Sequence, residues 1–284
     1  MKQNNIKQKQ TDPYFLKCQF AAKHHFNKAE HLNYLVWLCC ILSAMTIFIP
    51  DTTKHIGIVL PLLLDVVAFI LEILFEKSVS TAANLRNYFD ANVLDINTSQ
   101  YSESDIREIK DIIEKTSAKH PVECNIQITH TGNDSPPGVL DWYEFSHDFS
   151  DEDVQYECQR QNCWWNEELS KRRLFCLAIA FLTLVFLIFV ICKYFRISDA
   201  LLRILFCSGV ILKIVERIIQ HYNCHKIFLK IQGACDLVEK SKSTENILSL
   251  QKMIEQRRKI PVLEVNGIHK KLAAKLSQHY KKIS

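Results

Sequence analysis

Leu174 to Cys192 is a run of 19 residues without a charged side chain, and no other feature constrains the fold of this chain as strongly. A helix needs about 20 apolar residues to cross roughly 30 Å of hydrocarbon, so the run predicts a membrane-spanning helix. Leu32 to Ile49 is a second uncharged run, closed by Pro50, and Ile56 to Phe75 is a third that carries Asp65 and Glu72. Ala200 to Val215 is apolar apart from Arg203 and Lys213. Each midspan charge costs about 2.5 to 3.5 kcal/mol on insertion scales, so this last run is read as a span through its pairing with the preceding one. Lys193 to Asp199, between the two, is long enough only for a turn. The expected fold class is mostly α: a polytopic membrane protein with two transmembrane helical hairpins, four spans in all. The expected domains are a cytoplasmic N-terminal segment (1–31), hairpin 1 (32–75), a cytoplasmic insert as sensor candidate (76–173), hairpin 2 (174–215) and a helical cytoplasmic stalk and tail (216–284).

Composition agrees with helices. Six Gly and seven Pro in 284 residues leave little for a Gly-punctuated nucleotide-binding fold. Cys39, Cys40, Cys176, Cys192 and Cys207, among eleven cysteines, lie inside apolar runs where a secreted disulfide framework would not place them, which points to a reducing compartment. The first apolar run begins about 30 residues in and leads straight into another, so no cleaved signal peptide is expected. Residues 1–31 hold six lysines and the stretch from Glu216 onward fourteen Lys plus Arg, against three in the hairpin loops (Lys54, Lys193, Arg196). Positive charge marks the cytoplasmic side, so both termini and the central insert are expected in the cytoplasm.

The insert carries ten basic and nineteen acidic residues, a net of −9, unlike a general nucleic-acid surface. The tail is basic, at +8, and would be drawn to the acidic insert or to anionic lipid. Ser102 and Asp105 have capping-box spacing ahead of Ile106, Ile109 and Ile113 at helical period. Val122, Cys124, Ile126 and Ile128 alternate with polar residues, which is a strand pattern lacking a convincing partner. Ile227, Ile231, Cys235 and Val238 extend the last span as a stalk; Ile247, Leu250 and Ile254 mark a further helix stopped near Pro261, and Ile268, Leu272 and Leu276 a last one.

No phosphate-cradling Gly loop, nucleophile elbow or HExxH is present, and no enzyme, cofactor or metal is expected. His221, Cys224 and His225 share one helical face at i, i+3, i+4, yet without a fourth ligand they read as interfacial side chains rather than a metal site. Cys158 and Cys163 are spaced too widely for a zinc knuckle and read as packing thiols. Trp164 and Trp165 fit an aromatic belt at headgroup level, with ligand stacking as the alternative. Arg160, with Lys171 to Arg173, is explained by positive-inside topology or by phosphate recognition. The intramembrane charges Asp65, Glu72, Arg203 and Lys213 must face protein or water. Lys213 falls in depth between Asp65 and Glu72, so either a buried ion pair or a lined path accounts for them.

Three strings outside the spans, in order, carry a resemblance: Phe89-Asp90-Ala91-Asn92-Val93-Leu94, Asp141-Trp142-Tyr143, and Cys158-Gln159-Arg160-Gln161-Asn162-Cys163-Trp164-Trp165-Asn166-Glu167-Glu168-Leu169. With two hairpins around an insert, the chain resembles the SMODS-associated four-transmembrane effector family of bacterial antiphage defence, over about Phe26 to Lys240. The resemblance implies a homo-oligomeric effector in the bacterial inner membrane. It implies a trigger too, a cyclic oligonucleotide made by a nucleotidyltransferase encoded nearby, answered by pore formation or membrane disruption and abortive infection. It marks Phe89, Asp90, Val93, Leu94, Asp141, Trp142, Tyr143, Gln159, Arg160, Asn162 and Trp165, of which Arg160, Trp164, Trp165, Asn162 and Asp90 are the ligand-binding candidates. After Leu94 the family pattern has a Leu-Pro-Trp-like turn, and Asp95-Ile96-Asn97-Thr98 stands in its place. The alternative reading is a constitutive membrane scaffold or transport accessory protein whose insert docks a protein.

Overall fold

The computed structural model describes residues 1–46, 54–145, 147–151, 153–194 and 208–261, without the side chains at 54–58, 164–173, 176, 180, 187, 191, 192 and 194. The described chain is built of helices: α1 (Lys2–Gln10), α2 (Pro13–Met45), α3 (Lys54–Val93), α4 (Glu103–Lys119), α5 (Pro121–Thr129), α6 (Asp153–Tyr194), α7 (Ser208–Lys240) and α8 (Thr244–Lys259).

Local chemistry sets several boundaries. Ser102 accepts from the Asp105 amide while the Asp105 carboxylate accepts from the Ser102 amide, the capping box expected for α4. Ile109, Ile113 and Thr116 then form its buried stripe. Helix α3 ends at the string that departs from the family pattern. Asp95 takes φ 55° and the Ile96 amide reaches back to the Ala91 carbonyl at 3.0 Å, the six-to-one bond of a Schellman stop. Ser243 caps α8 through the Asn246 amide, and Ile247, Leu250 and Ile254 are buried at the spacing that the sequence shows.

Two expectations are corrected. Val122 to Ile128 is not a strand but helix α5, with Pro121 at its first position. Proline's fixed φ starts a helix without wasting a donor, and a lone alternating segment has no neighbour to take its strand hydrogen bonds. The second correction is to the fold class. Among the described residues no helix is long and apolar enough to cross a membrane, at odds with a polytopic protein of four spans. Charges interrupt the apolar stretches: Asp65, Glu72 and Glu76 in α3, and Lys213, Glu216 and Arg217 in α7. Residues 47–53 and 195–207, with Arg203, lie outside the described residues, as do five side chains of the uncharged run in α6 and the helix expected around Ile268 to Leu276.

The chain divides into two compact units. Unit 1 gathers residues 1–27, 78–166 and 226–260; unit 2 gathers 28–77 and 167–225, joined by Pro261. Unit 1 has an apolar interior that includes Phe20, Ala82, Leu85, Phe89, Leu94, Ile113, Val154, Val238 and Leu250. Helix α1 is stitched into it by two buried glutamines seven residues apart. Gln3 bonds the His147 carbonyl and the Phe149 amide, and Gln10 does the same for the carbonyl and amide of Tyr143. Among the described residues of unit 2, Val36, Cys40 and Ala68 form a buried apolar cluster with Cys39, Leu71 and Val210 against it, and Phe75 is fully buried.

Candidate functional site

The three strings singled out in the sequence meet inside unit 1. Asp90, on α3, is fully buried, and its carboxylate accepts from the Tyr143 hydroxyl at 2.7 Å and from Asn162 Nδ2 at 3.2 Å. Asn162 also donates to the Tyr143 oxygen at 3.0 Å. The charge on Asp90 is balanced by Arg258, at 2.7 Å from α8, which donates further to Asn87 at 3.1 Å. Burial, with the negative charge of Asp90 added, pushes the Tyr143 hydroxyl well above its ordinary pKa. Burial opposes the charge on Arg258, but Asp90 and Tyr143 outweigh it and hold the guanidinium above its usual range. Phe89 stacks on Tyr143 with centroids 6.3 Å apart, and Asp141, at φ 52°, turns the chain just before it.

Around this centre Gln159 donates to the Ile247 carbonyl and to Gln251, which in turn donates to Glu255. Arg86 lies 3.8 Å over the Trp142 ring. Arg160 pairs with Glu157 at 3.0 Å, its side chain 31% exposed. Asp90 is closed off from any ligand, then, while Arg160 and Asn162 stay partly open to solvent. Trp164 and Trp165 lie on α6 with side chains outside those described. Cys158 is buried; Cys163 hydrogen-bonds to Cys235, which holds the Cys163 thiol up and brings the Cys235 thiol down.

A family model described as SMODS-associating 4TM effector domain matches residues 4–263. The chain belongs to that family. Neither the curated proteins nor the solved structures hold a match to it. In this family member the ordered strings build one polar core, and two of its parts escaped the sequence reading. Arg258 and Gln10 sit far from the strings along the chain. Arg258 falls in the basic tail, which the sequence directs to the acidic insert or to anionic lipid without naming a partner, and Gln10 on a helix whose buried face is Gln3, Ile6 and Gln10, with little apolar signal.

Unit 2 of this effector-domain protein holds the charged side chains that the sequence placed in apolar runs. Glu72 accepts from Arg217 at 3.2 Å and pairs with Lys213, which also meets Glu216 at 3.1 Å. Arg217 reaches Asn33 at 2.9 Å and Gln220 at 2.6 Å, and its guanidinium stands 4.6 Å over the Phe75 ring. The partner of Lys213 is therefore Glu72 rather than Asp65. Asp65 presses on Gly209, where a Cβ would lie 2.9 Å from its Oδ1, and that oxygen is buried without a hydrogen-bond partner among the described residues.

Two groups of side chains among the described residues are close enough to share a metal ion: Glu72, Glu76 and Glu216, and His24, His120 and Glu123. The first already holds the cations Lys213 and Arg217, so ion pairing accounts for it. In the second, two histidines stand beside one carboxylate, and Lys23 lies close enough to Glu123 to feel its charge. His221, Cys224 and His225, on α7, are in neither group; His221 and Cys224 are buried.

Proposed function

We propose that this protein is an antiphage effector of the bacterial inner membrane, acting as a homo-oligomer without catalysis. Its trigger is a cyclic oligonucleotide made by a SMODS nucleotidyltransferase encoded nearby, and its output is permeabilisation of the membrane. The family match carries the reading, and one physical observation supports it. Unit 2 turns Leu62, Leu63, Phe69, Phe175, Leu182, Phe186 and Phe189 outward, each more than half exposed. Many large apolar side chains left exposed in one unit point to an interaction surface, and lipid is the environment that fits an effector acting on a membrane. Arg160 is the proposed phosphate contact, since a partly exposed guanidinium is suited to bidentate contact with a phosphate.

The test is co-expression with the cognate nucleotidyltransferase and measurement of membrane potential. Loss of potential only when the transferase is active supports the reading, and Arg160→Ala should abolish it at unchanged abundance. Potential that holds in triggered cells containing the protein would overturn it. Potential lost equally with an inactive transferase would overturn the ligand-gated part.

A further inference from the structure

We propose that His24, His120 and Glu123 form a binding site for a divalent transition-metal ion, Zn²⁺ in the first place, which ties α2 to the start of α5 within unit 1. One ligand atom from each of the three residues lies within 4.8 Å of the others. The His24 and His120 rings have centroids 4.2 Å apart, and His24 Nδ1 is 3.9 Å from Glu123 Oε2. Bonds of about 2.0 to 2.2 Å to a central ion require only a modest contraction from there, within the reach of side-chain rotation. Two imidazoles and a carboxylate are a donor set that zinc takes, leaving its fourth position for water.

The backbone holds this geometry ready. His120 joins two helices: its amide bonds the Thr116 carbonyl as α4 ends, and its carbonyl accepts from the Cys124 amide as α5 begins. Pro121 fixes the next φ. Glu123 and Gln127 follow His120 by three and seven residues, which puts them on the same helical face. His120, Glu123 and Gln127 also line one open pocket, with Val122, Ile126 and Pro136 beside them. Gln127 is 8% exposed, and its Oε1 is buried with no hydrogen-bond partner among the described residues. A water on the ion's fourth position would donate to an acceptor on this face, giving a reason for a buried amide oxygen there. An ordinary weak His–Glu pair explains the 3.9 Å contact but neither the two facing imidazoles nor Gln127.

Zn²⁺ titration by calorimetry of the metal-stripped full chain, without an affinity tag, tests the site. We expect one ion per chain, and a tetrahedral Co²⁺ absorption spectrum on substitution. Loss of outer-sphere partners already costs 10- to 100-fold in metal affinity, so His24→Gln and His120→Gln should each cost about 100-fold or more. Glu123→Gln keeps the size of the side chain and should weaken binding as well. His147→Gln, a histidine packed on Phe149, should leave it unchanged. Helicity by circular dichroism shows that each variant is folded; should one histidine variant fail, the Glu123→Gln and Co²⁺ measurements decide. No binding by the parent at micromolar Zn²⁺, or binding that survives the His24→Gln/His120→Gln double change, overturns the proposal.

Discussion

Units 1 and 2 bury opposite things. Unit 1 packs Phe20, Leu85, Phe89 and Leu250 inside, and the buried charge of Asp90 is answered there by Arg258. Unit 2 encloses Lys213 and Arg217 beside the buried Phe75 and, among the described residues, exposes many large apolar side chains, Leu62, Phe69, Phe175 and Phe186 among them. Among the described residues, all the exposed large hydrophobic side chains but Met1, Val122, Leu229 and Leu237 belong to unit 2. The same covalent helices α2, α3, α6 and α7 supply residues to both patterns, so the change lies in side-chain identity and not in secondary structure. Unit 1 follows the sorting that water imposes, whereas unit 2 pairs Glu72 with Lys213 and Arg217 and leaves many apolar side chains exposed.

That comparison is broken most forcefully in unit 1. Arg258→Met leaves a fully buried carboxylate without its cation, and losing one partner of such a pair costs about 3 to 5 kcal/mol. The midpoint of urea unfolding should fall accordingly; a midpoint within experimental error of the parent would mean that Asp90 is not held by Arg258. Unit 2 should respond more mildly to a comparable change, because its charges are shared. Lys213→Met leaves Glu72 with Arg217, whereas Glu72→Gln leaves two cations facing a neutral group. Cellular abundance should therefore drop more for Glu72→Gln than for Lys213→Met, and the double variant should recover part of the loss. Equal abundance in all three would remove the network as a source of stability.

Alkaline pH sharpens the contrast further. Burial raises the thiols of Cys18 and Cys158 and the hydroxyls of Tyr14, Tyr101, Tyr143 and Tyr156, all in unit 1. The unfolded chain releases those protons from about pH 8.5 for thiols and about pH 10 for tyrosines, while the folded chain keeps them. Stability from these groups is thus complete below that range and is lost as pH rises through it. Lys23, brought down to about 8 chiefly by burial and then by Arg86, works in the opposite sense between about 8 and 10.4 and offsets one of the six. Urea midpoints at pH 7.5, 9 and 10.5 should decline, most steeply over the last interval; a rising series would contradict the buried state of these groups. The smallest effect is expected at the surface of unit 1, where Ser102→Ala removes the cap of α4 at a cost of about 1 kcal/mol by thermal denaturation.

What could be read in the sequence followed from local rules. The capping box at Ser102 and the buried stripes of α4 and α8 depend on neighbours within one or two turns. Where a second segment decides, the sequence falls silent. The alternation at Val122 to Ile128 has strand period, but its hydrogen bonds are satisfied within α5 once Pro121 starts a helix. The strings around Asp90, Tyr143 and Asn162 mark the polar core, yet the counter-charge comes from Arg258, and no spacing rule joins residues so far apart. His24 and His120 are likewise brought together only by the fold. Apolar run length misleads in α3 and α7 because it counts residues, while charges inside those two runs pair with one another.

The exposed apolar side chains of unit 2 meet either lipid, protein or water. A genetically encoded photo-crosslinker at Leu62, Phe69 or Phe186, with Glu108 and Lys110 of unit 1 as comparison sites, reads this directly in the membrane fraction of cells. Phospholipid adducts at the three unit 2 positions and none at Glu108 or Lys110 are the predicted result. Adducts only with protein or water at Leu62, Phe69 and Phe186, or lipid adducts equally at Lys110, would contradict it.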